Sequence, residues 1–355
     1  MKSILFVVHN LSYTGAPLIG IAIAKLLRQQ GFSLKLVSIG PGPYLETAQA
    51  DFPDISIVDC QSKADTERFL RLFMAFQPDL VYINSIAALP IARFLPPGVN
   101  TVLHLHEMKS DLKHWRHFVQ PEWLDRLARV IAVSEQAKAD IHHVLSVPLS
   151  KVVVIRNPID VQRIQASAKA AYEPPRNCLG SPIDPTGLIV SACGTASKRK
   201  GTDIFYQLAR QNPAVQFLWI GEWENTHNPV LEAAKNESLA NFFTSGLRTN
   251  PFPLLNISDI FLLTSREDPD PLVVHESISL GKLVIAFSET GGSRYVVSKF
   301  GVLLEGAVQA ERLHRILKQC IHSNAKLGPG PNLVARYYDY EQLSDNLIQE
   351  VAQIA

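Results

Sequence analysis

Short, almost wholly apolar runs alternate with segments of helical period along this chain, and the alternation occurs twice. Ser3–Val8 (S-I-L-F-V-V) is the first run. A strand without polar alternation must be buried on both faces, the environment of a parallel strand covered by helices. The loop His9–Gly15 follows, and Pro17 suits the first turn of a helix, where the N–H it lacks would be unpaired anyway. Ala16–Gln29 then carries Ile19, Ala22, Ile23, Leu26 and Leu27 at helical spacing. Further strands are predicted at Ser33–Ser38, Asp79–Ile83, Thr101–His106, Val130–Val133 and Val152–Ile155, with a helix over Lys63–Phe76. Such alternation predicts a doubly wound α/β domain with a parallel sheet.

A second series opens at Leu188–Ala192. It continues with strands at Val215–Ile220, Ile260–Thr264 and Leu283–Ala286. Helices are predicted near Thr202–Gln211, Pro229–Asn236, Leu272–Leu280 and Gln309–His322. Between the series, Ala166–Gly187 holds Pro174, Pro175, Pro182 and Pro185 and reads as a linker. A length of 355 residues suits about two domains. The expected organisation is a Rossmann-like domain over 1–165, a linker over 166–187 and a second Rossmann-like domain over 188–335. The two domains are expected to face each other across a cleft. A closing segment, 336–355, contains the amphipathic helix Tyr340–Ile354, expected to cross back onto the first domain.

Several classes are disfavoured. A net charge of +1 gives no global electrostatic case for nucleic acid. Cys60, Cys178, Cys193 and Cys320 lack C-x-x-C spacing and fit free thiols in a reducing compartment. No apolar run is long enough to cross a bilayer, and the N-terminus lacks a signal-peptide pattern, so a cytoplasmic protein is expected. There is no nucleophile elbow; Ser134 reads as the N-cap of a helix from Glu135.

Thr264–Gly281 (T-S-R-E-D-P-D-P-L-V-V-H-E-S-I-S-L-G) is the richest stretch for chemistry. Asp268 and Glu276 stand with seven residues between them, the first expected at a loop tip, the second near a helix start. A helix N-terminus favours anions and carboxylates hold hydroxyls, so the pair suits a sugar joined to a phosphate. Val190–Asp203 places a strand, Gly194, a basic loop and a helix in order, with Thr202 or Asp203 as the expected cap. Lys198, Arg199 and Lys200 crowd that helix start, where positive charge opposes the macrodipole unless an anion is present. Gly15 permits close backbone approach or simply makes a turn; the loop is not a G-x-G-x-x-G fingerprint. His104 and His106 share a strand face, with His106 at the carboxyl end where such sheets place ligands. No zinc spacing accompanies them, and no metal or other cofactor is expected. Met108–Trp123 is basic and aromatic, a solvated helix or a contact for an acidic acceptor or membrane surface. Gly291 and Gly292 follow a strand and serve a turn or a ligand.

These motifs, in this order, resemble the retaining family-4 glycosyltransferases of GT-B fold over nearly the whole chain. The likeness is carried by T-G-A-P at 14–17, H-E at 106–107, V-I-A-V-S at 130–134 and R-N-P-I-D at 156–160. In the second half it is carried by R-K-G-T-D at 199–203, W-I-G at 219–221, S-D at 258–259 and D-P-D-P-L-V-V-H-E at 268–276. The resemblance implies transfer of a sugar from a nucleotide-sugar donor to a sugar, lipid-linked or other hydroxyl acceptor. It implies that Glu276 holds the donor ribose and Asp268 the sugar hydroxyls. Arg199 and Lys200 meet the diphosphate, Gly15 lies against it, and His106 lies near the reacting centre. Gly194, Thr195, Leu272 and Val273 complete the implied donor set. Asp268 stands where the common pattern has Glu, Thr195 where Arg is frequent, and Asp270, Pro271 and Tyr295 also depart from it. A silent sugar-nucleotide-binding partner subunit, or an epimerase or phosphorylase of the same fold, are the alternatives.

Overall fold

The first apolar run forms β1 (Ser3–Val8), in the interior of a parallel sheet. Its neighbours are β2 (Ser33–Ser38) and β4 (Leu80–Asn84), with Ile4 opposite Leu34 on one side and Leu80 on the other. Ile4 through Val8 are fully buried, which is why the run carries no polar alternation. The computed structural model describes residues 2–223, 228–322 and 340–355. With β3 (Ser56–Ile57), β5 (Thr101–Leu105), β6 (Arg129–Ala132) and β7 (Val152–Val154), the sheet has seven strands in the order β3-β2-β1-β4-β5-β6-β7. The chain winds outward from β1 and returns to β4. The loops after β1 and β4 therefore diverge, leaving a crevice at the carboxyl ends of the strands.

A second seven-stranded sheet has the order β14-β13-β12-β9-β10-β11-β8. Its strands are β8 (Arg176–Asn177), β9 (Ile189–Cys193), β10 (Gln216–Ile220), β11 (Phe242–Thr244), β12 (Ile260–Leu262), β13 (Leu283–Phe287) and β14 (Val302–Leu304). All pairings are parallel except β8 with β11. Here the winding reverses between β9 and β12. Trp219, Phe205 and Phe217 form an aromatic centre beneath β10, with Phe205 5.5 Å from Trp219 and 5.3 Å from Phe217.

The chain divides into two compact units, Met1–Pro158 with Glu341–Ala355, and Ile159–Tyr340. The proline-rich segment read as a linker lies within the second unit. Arg176 and Asn177 pair with Thr244 and Phe243, so part of that segment is an edge strand. The helix Tyr340–Ile354 packs on the first unit: Arg129 Nε lies 2.6 Å from Glu350 Oε1, and Asn100 Nδ2 donates to Ile354 O at 2.9 Å. Leu347 and Val351 are fully buried there. Ser134 caps the helix Glu135–Leu145 by accepting from Ala137 N. The strand predicted to reach His106 ends at Leu105, and the strand from Ile260 ends at Leu262.

Truncating Leu347 to Ala should destabilise the protein by about 3 kcal/mol, the usual scale for a buried leucine. Urea unfolding of wild type and variant measures it, and a change below about 0.5 kcal/mol would contradict the packing.

Candidate functional site

In the second unit the site grows from the end of β9. Gly194 follows Cys193 with φ +136°, a region where L side chains are strained. A Cβ there would come within 3.4 Å of Lys200 Cε, so the turn and the lysine stem are in close register. The loop then enters the helix Thr202–Gln211 through Gly201, which has φ +75° and backs against Thr264 so closely that a Cβ would sit 2.1 Å from its carbonyl oxygen. Gly201 is therefore the cap, correcting the expectation of Thr202 or Asp203. Thr202 instead donates its hydroxyl to Ser197 O, and Asp203 pairs with Arg266 through both carboxylate oxygens at 2.9 and 2.8 Å.

The three cations of the loop separate. Lys198 and Arg199 are exposed, and Arg199 donates to Glu267 O at 2.9 Å. Lys200 turns inward and lies 2.5 Å from Asp268 Oδ2, with side-chain exposures of 17% and 6%. The anion that relieves the crowded helix start is thus supplied internally. Asp268 is buried rather than at a loop tip. It also accepts from Ser265 Oγ at 3.1 Å, while its backbone N–H donates to Thr290 O and its carbonyl accepts from Gly292 N. Those bonds bring the Gly291–Gly292 turn beside the acid.

Glu276 is the fifth residue of the helix Leu272–Ser279, mid-helix rather than near its start. Burial pushes its carboxyl up to about 7. The Cys193 thiol is pushed up to about 12, first by burial and then by the Glu276 charge, with Lys200 opposing. Cys193 is the last residue of β9, next to the strand β12 across which the winding reverses. Thr195 follows Gly194 in the loop, and Leu272 and Val273 are half-buried in the first helical turn, where their own N–H groups have no intrahelical acceptor.

In the first unit, His106 stands just after the end of β5. Its Nε2 lies 2.9 Å from Asn84 Oδ1, and Asn84 Nδ2 donates to Ala16 O at 2.8 Å. A carbonyl only accepts, so the amide nitrogen must face Ala16 and the amide oxygen must face His106. Nε2 consequently carries the proton of this bond. Through Ala16 the histidine is tied to the residue after Gly15. A Cβ on Gly15 would meet nothing within 4 Å, so packing does not demand glycine there. His104 is buried, bonded to Tyr82 Oη at 2.7 Å, with its ring tilted against that of His106 at 4.3 Å between centroids. Burial, and then the neighbouring His106, hold its pKa well below the ordinary value, so it is a neutral core residue.

Glu107 is the residue that sequence reasoning left without a role. One oxygen accepts from Ser85 Oγ at 2.5 Å and Ile86 N at 3.3 Å, the other from His106 N at 2.9 Å. Burial raises its pKa to about 7 against those bonds. Ser85 has φ +87°, costly for a non-glycine residue, and the carboxylate helps hold that conformation. The only local signal was polar Asn84 and Ser85 closing an apolar run at the sheet's carboxyl edge. Among the described residues, no group of three His, Cys, Asp or Glu side chains converges to hold a metal. No helix among them is long and apolar enough to cross a membrane.

Residues 21–163 match the profile of Glycosyltransferase Family 4, and residues 180–334 match that of Glycosyl transferases group 1. The chain belongs to glycosyltransferase family 4. A curated relative of this glycosyltransferase is the O-antigen biosynthesis glycosyltransferase WclY of Escherichia coli, 25% identical over 138 residues, which are 39% of this chain and 38% of WclY. Among solved structures, Anabaena HepE in complex with UDP and glucose is similar with a TM-score of 0.79 at 18% identity, covering 99% of this chain and 100% of that one. WaaG, a glycosyltransferase involved in lipopolysaccharide biosynthesis, is similar with a TM-score of 0.68 at 12% identity, over 97% and 98% of the two chains. These two likenesses concern the fold, two Rossmann-like units of GT-B type.

The raised carboxyls give a pH signature. An acid with a folded pKa near 7 and an ordinary value of 4.5 binds more protons folded than unfolded between those limits. Its contribution to stability is therefore lost as pH rises from about 4.5 through about 7. Urea unfolding at pH 5.0 through 7.5 should show Glu276→Gln with a shallower decline than wild type in this window. Parallel declines would refute the burial-driven shift.

Proposed function

We propose that this glycosyltransferase moves a sugar from a nucleotide-diphosphate sugar to an acceptor hydroxyl, with retention at the anomeric carbon. The observation that carries the reading is the Lys200–Asp268 pair beside the Gly194 turn after β9, with Glu276 on the helix that follows Asp268. Such a position suits a phosphorylated ligand, and the residue types suit its parts. Glu276 is assigned to ribose hydroxyls, Asp268 to sugar hydroxyls, and Lys200 with Arg199 to the diphosphate. Gly194, Thr195 and the first-turn N–H groups of Leu272 and Val273 are assigned to the same ligand. The first unit contributes His106 and Gly15 as candidates and is assigned the acceptor.

In the proposed reaction the acceptor oxygen attacks the anomeric carbon on the face from which the diphosphate leaves. The bond from that carbon to the phosphate oxygen breaks, its electron pair stays on the phosphate, and the acceptor's proton passes to that oxygen. The developing negative charge is what the protein must stabilise, and a preoriented, mostly buried cation does so better than one in water. Lys200 meets that description and Arg199, being exposed, meets it less well.

The donor we favour is a UDP-hexose, by analogy with the UDP and glucose held by HepE. The acceptor we favour is a glycan or lipid-linked sugar, by analogy with WclY. Exposed Lys109, Lys113, Arg116 and Phe118 suit a peripheral contact with an anionic membrane surface. Four free cysteines are in keeping with a cytoplasmic setting.

Thermal melting against UDP, GDP, ADP, CMP and their sugars tests the donor. The matching nucleotide stabilises by about 2.7 kcal/mol at 100-fold over its Kd; no response to any of them would overturn the reading. Mass analysis of products separates transfer from epimerisation, phosphorolysis or mere binding. Lys200→Ala should lower kcat/KM by about 10²-fold or more, and Arg199→Ala by less. Equal activity of Lys200→Ala and wild type would remove the lysine from the mechanism.

A further inference from the structure

Asp270 and His275 have no part in the chemistry above, yet both are deeply buried, at 5% and 1% exposure. His275 Nε2 lies 2.8 Å from Asp270 Oδ1. A carboxylate only accepts, so Nε2 carries the proton of this bond. Asp270 follows Asp268 by two residues, in the turn before the helix. His275 precedes Glu276 by one residue, on the helix Leu272–Ser279. The bond is nested inside the acid pair: it joins the two backbone stretches from which Asp268 and Glu276 project.

The two ends differ in how they are held. Asp268 is fixed on every side, by Lys200, Ser265, Thr290 and Gly292. The helix carrying Glu276 has eight residues, and Pro271 at its N-cap makes no side-chain cap bond. A short helix with that start has little intrinsic stability and takes its position from its contacts. Burying a carboxylate and an imidazole is costly where an apolar pair would pack at no such cost. What the polar pair adds is direction, since a hydrogen bond restricts distance and angle while apolar contacts allow sliding.

We propose that the Asp270–His275 bond is a clasp that sets the placement of Glu276 relative to Asp268 for the nucleotide-sugar donor. The clasp rests on the donor-site reading above. Both residues are buried and are positioning residues.

Calorimetric titration of the full chain with UDP-glucose and with UDP tests it, alongside circular dichroism and melting to score folding. His275→Leu should weaken UDP-glucose binding about tenfold or more, the scale of a coupled pair. His275→Gln, whose Nε2 can still donate to Asp270, should recover affinity to within about threefold. Asp270→Ser, too short to reach the imidazole, repeats the test should His275→Leu fail to fold. A folded variant with a lowered melting temperature but unchanged Kd would overturn the clasp and leave the donor site standing. A wild type that binds neither UDP-glucose nor UDP would overturn both.

Discussion

Parallel strands buried on both faces leave a protein only its loops for chemistry, and this constraint governs the whole molecule. Nothing in β1 or β9 can touch a ligand along the length of the strand, because helices cover both faces. Each strand delivers its residues at its carboxyl end, and the reversal of winding opens a crevice there. His106, Asn84 and Glu107 gather at the ends of β4 and β5. Lys200, Asp268 and Glu276 gather around the ends of β9 and β12. Two independent sheets have put their ionisable groups where the same geometric rule allows.

Asp268 and Glu107 are held away from water, and the charges answer one another within the protein. Lys200 is neutralised by Asp268, so a diphosphate arriving there competes with a carboxylate already in place. Such a lysine is an economical holder of phosphate only if the acid finds another partner, and sugar hydroxyls are suitable donors to it. Burial raises the carboxyls of Glu276 and Glu107 to about 7.

Much of this was legible from residue order. The long central strands and their helices followed from apolar runs, because burial on both faces leaves an unmistakable pattern. Short strands did not: Ser56–Ile57, Arg176–Asn177, Phe242–Thr244 and Val302–Leu304 are two or three residues long and lie at or beside sheet edges. A window of that size carries no periodicity. The acid pair, the basic loop and His106 were visible as residue types at suitable places. Their partners were not. Ser85 and Glu107 are 22 residues apart, and only the pairing of Asn84 with His104 across β4 and β5 brings them together. Gly201 as cap was hidden too, since its need arises from Thr264, far along the chain. Asp270 read as a departure from a family pattern; its burial against His275 turns it into a feature of this chain.

The path of the backbone has a consequence for the order of assembly. The first unit is built from two stretches, Met1–Pro158 and Glu341–Ala355, with the second unit between them, and Arg129 waits for Glu350 and Asn100 for Ile354. During synthesis the whole second unit emerges before the last helix that seals the first. The first sheet must persist, with the seat of Leu347 and Val351 open to water, until that helix has been made.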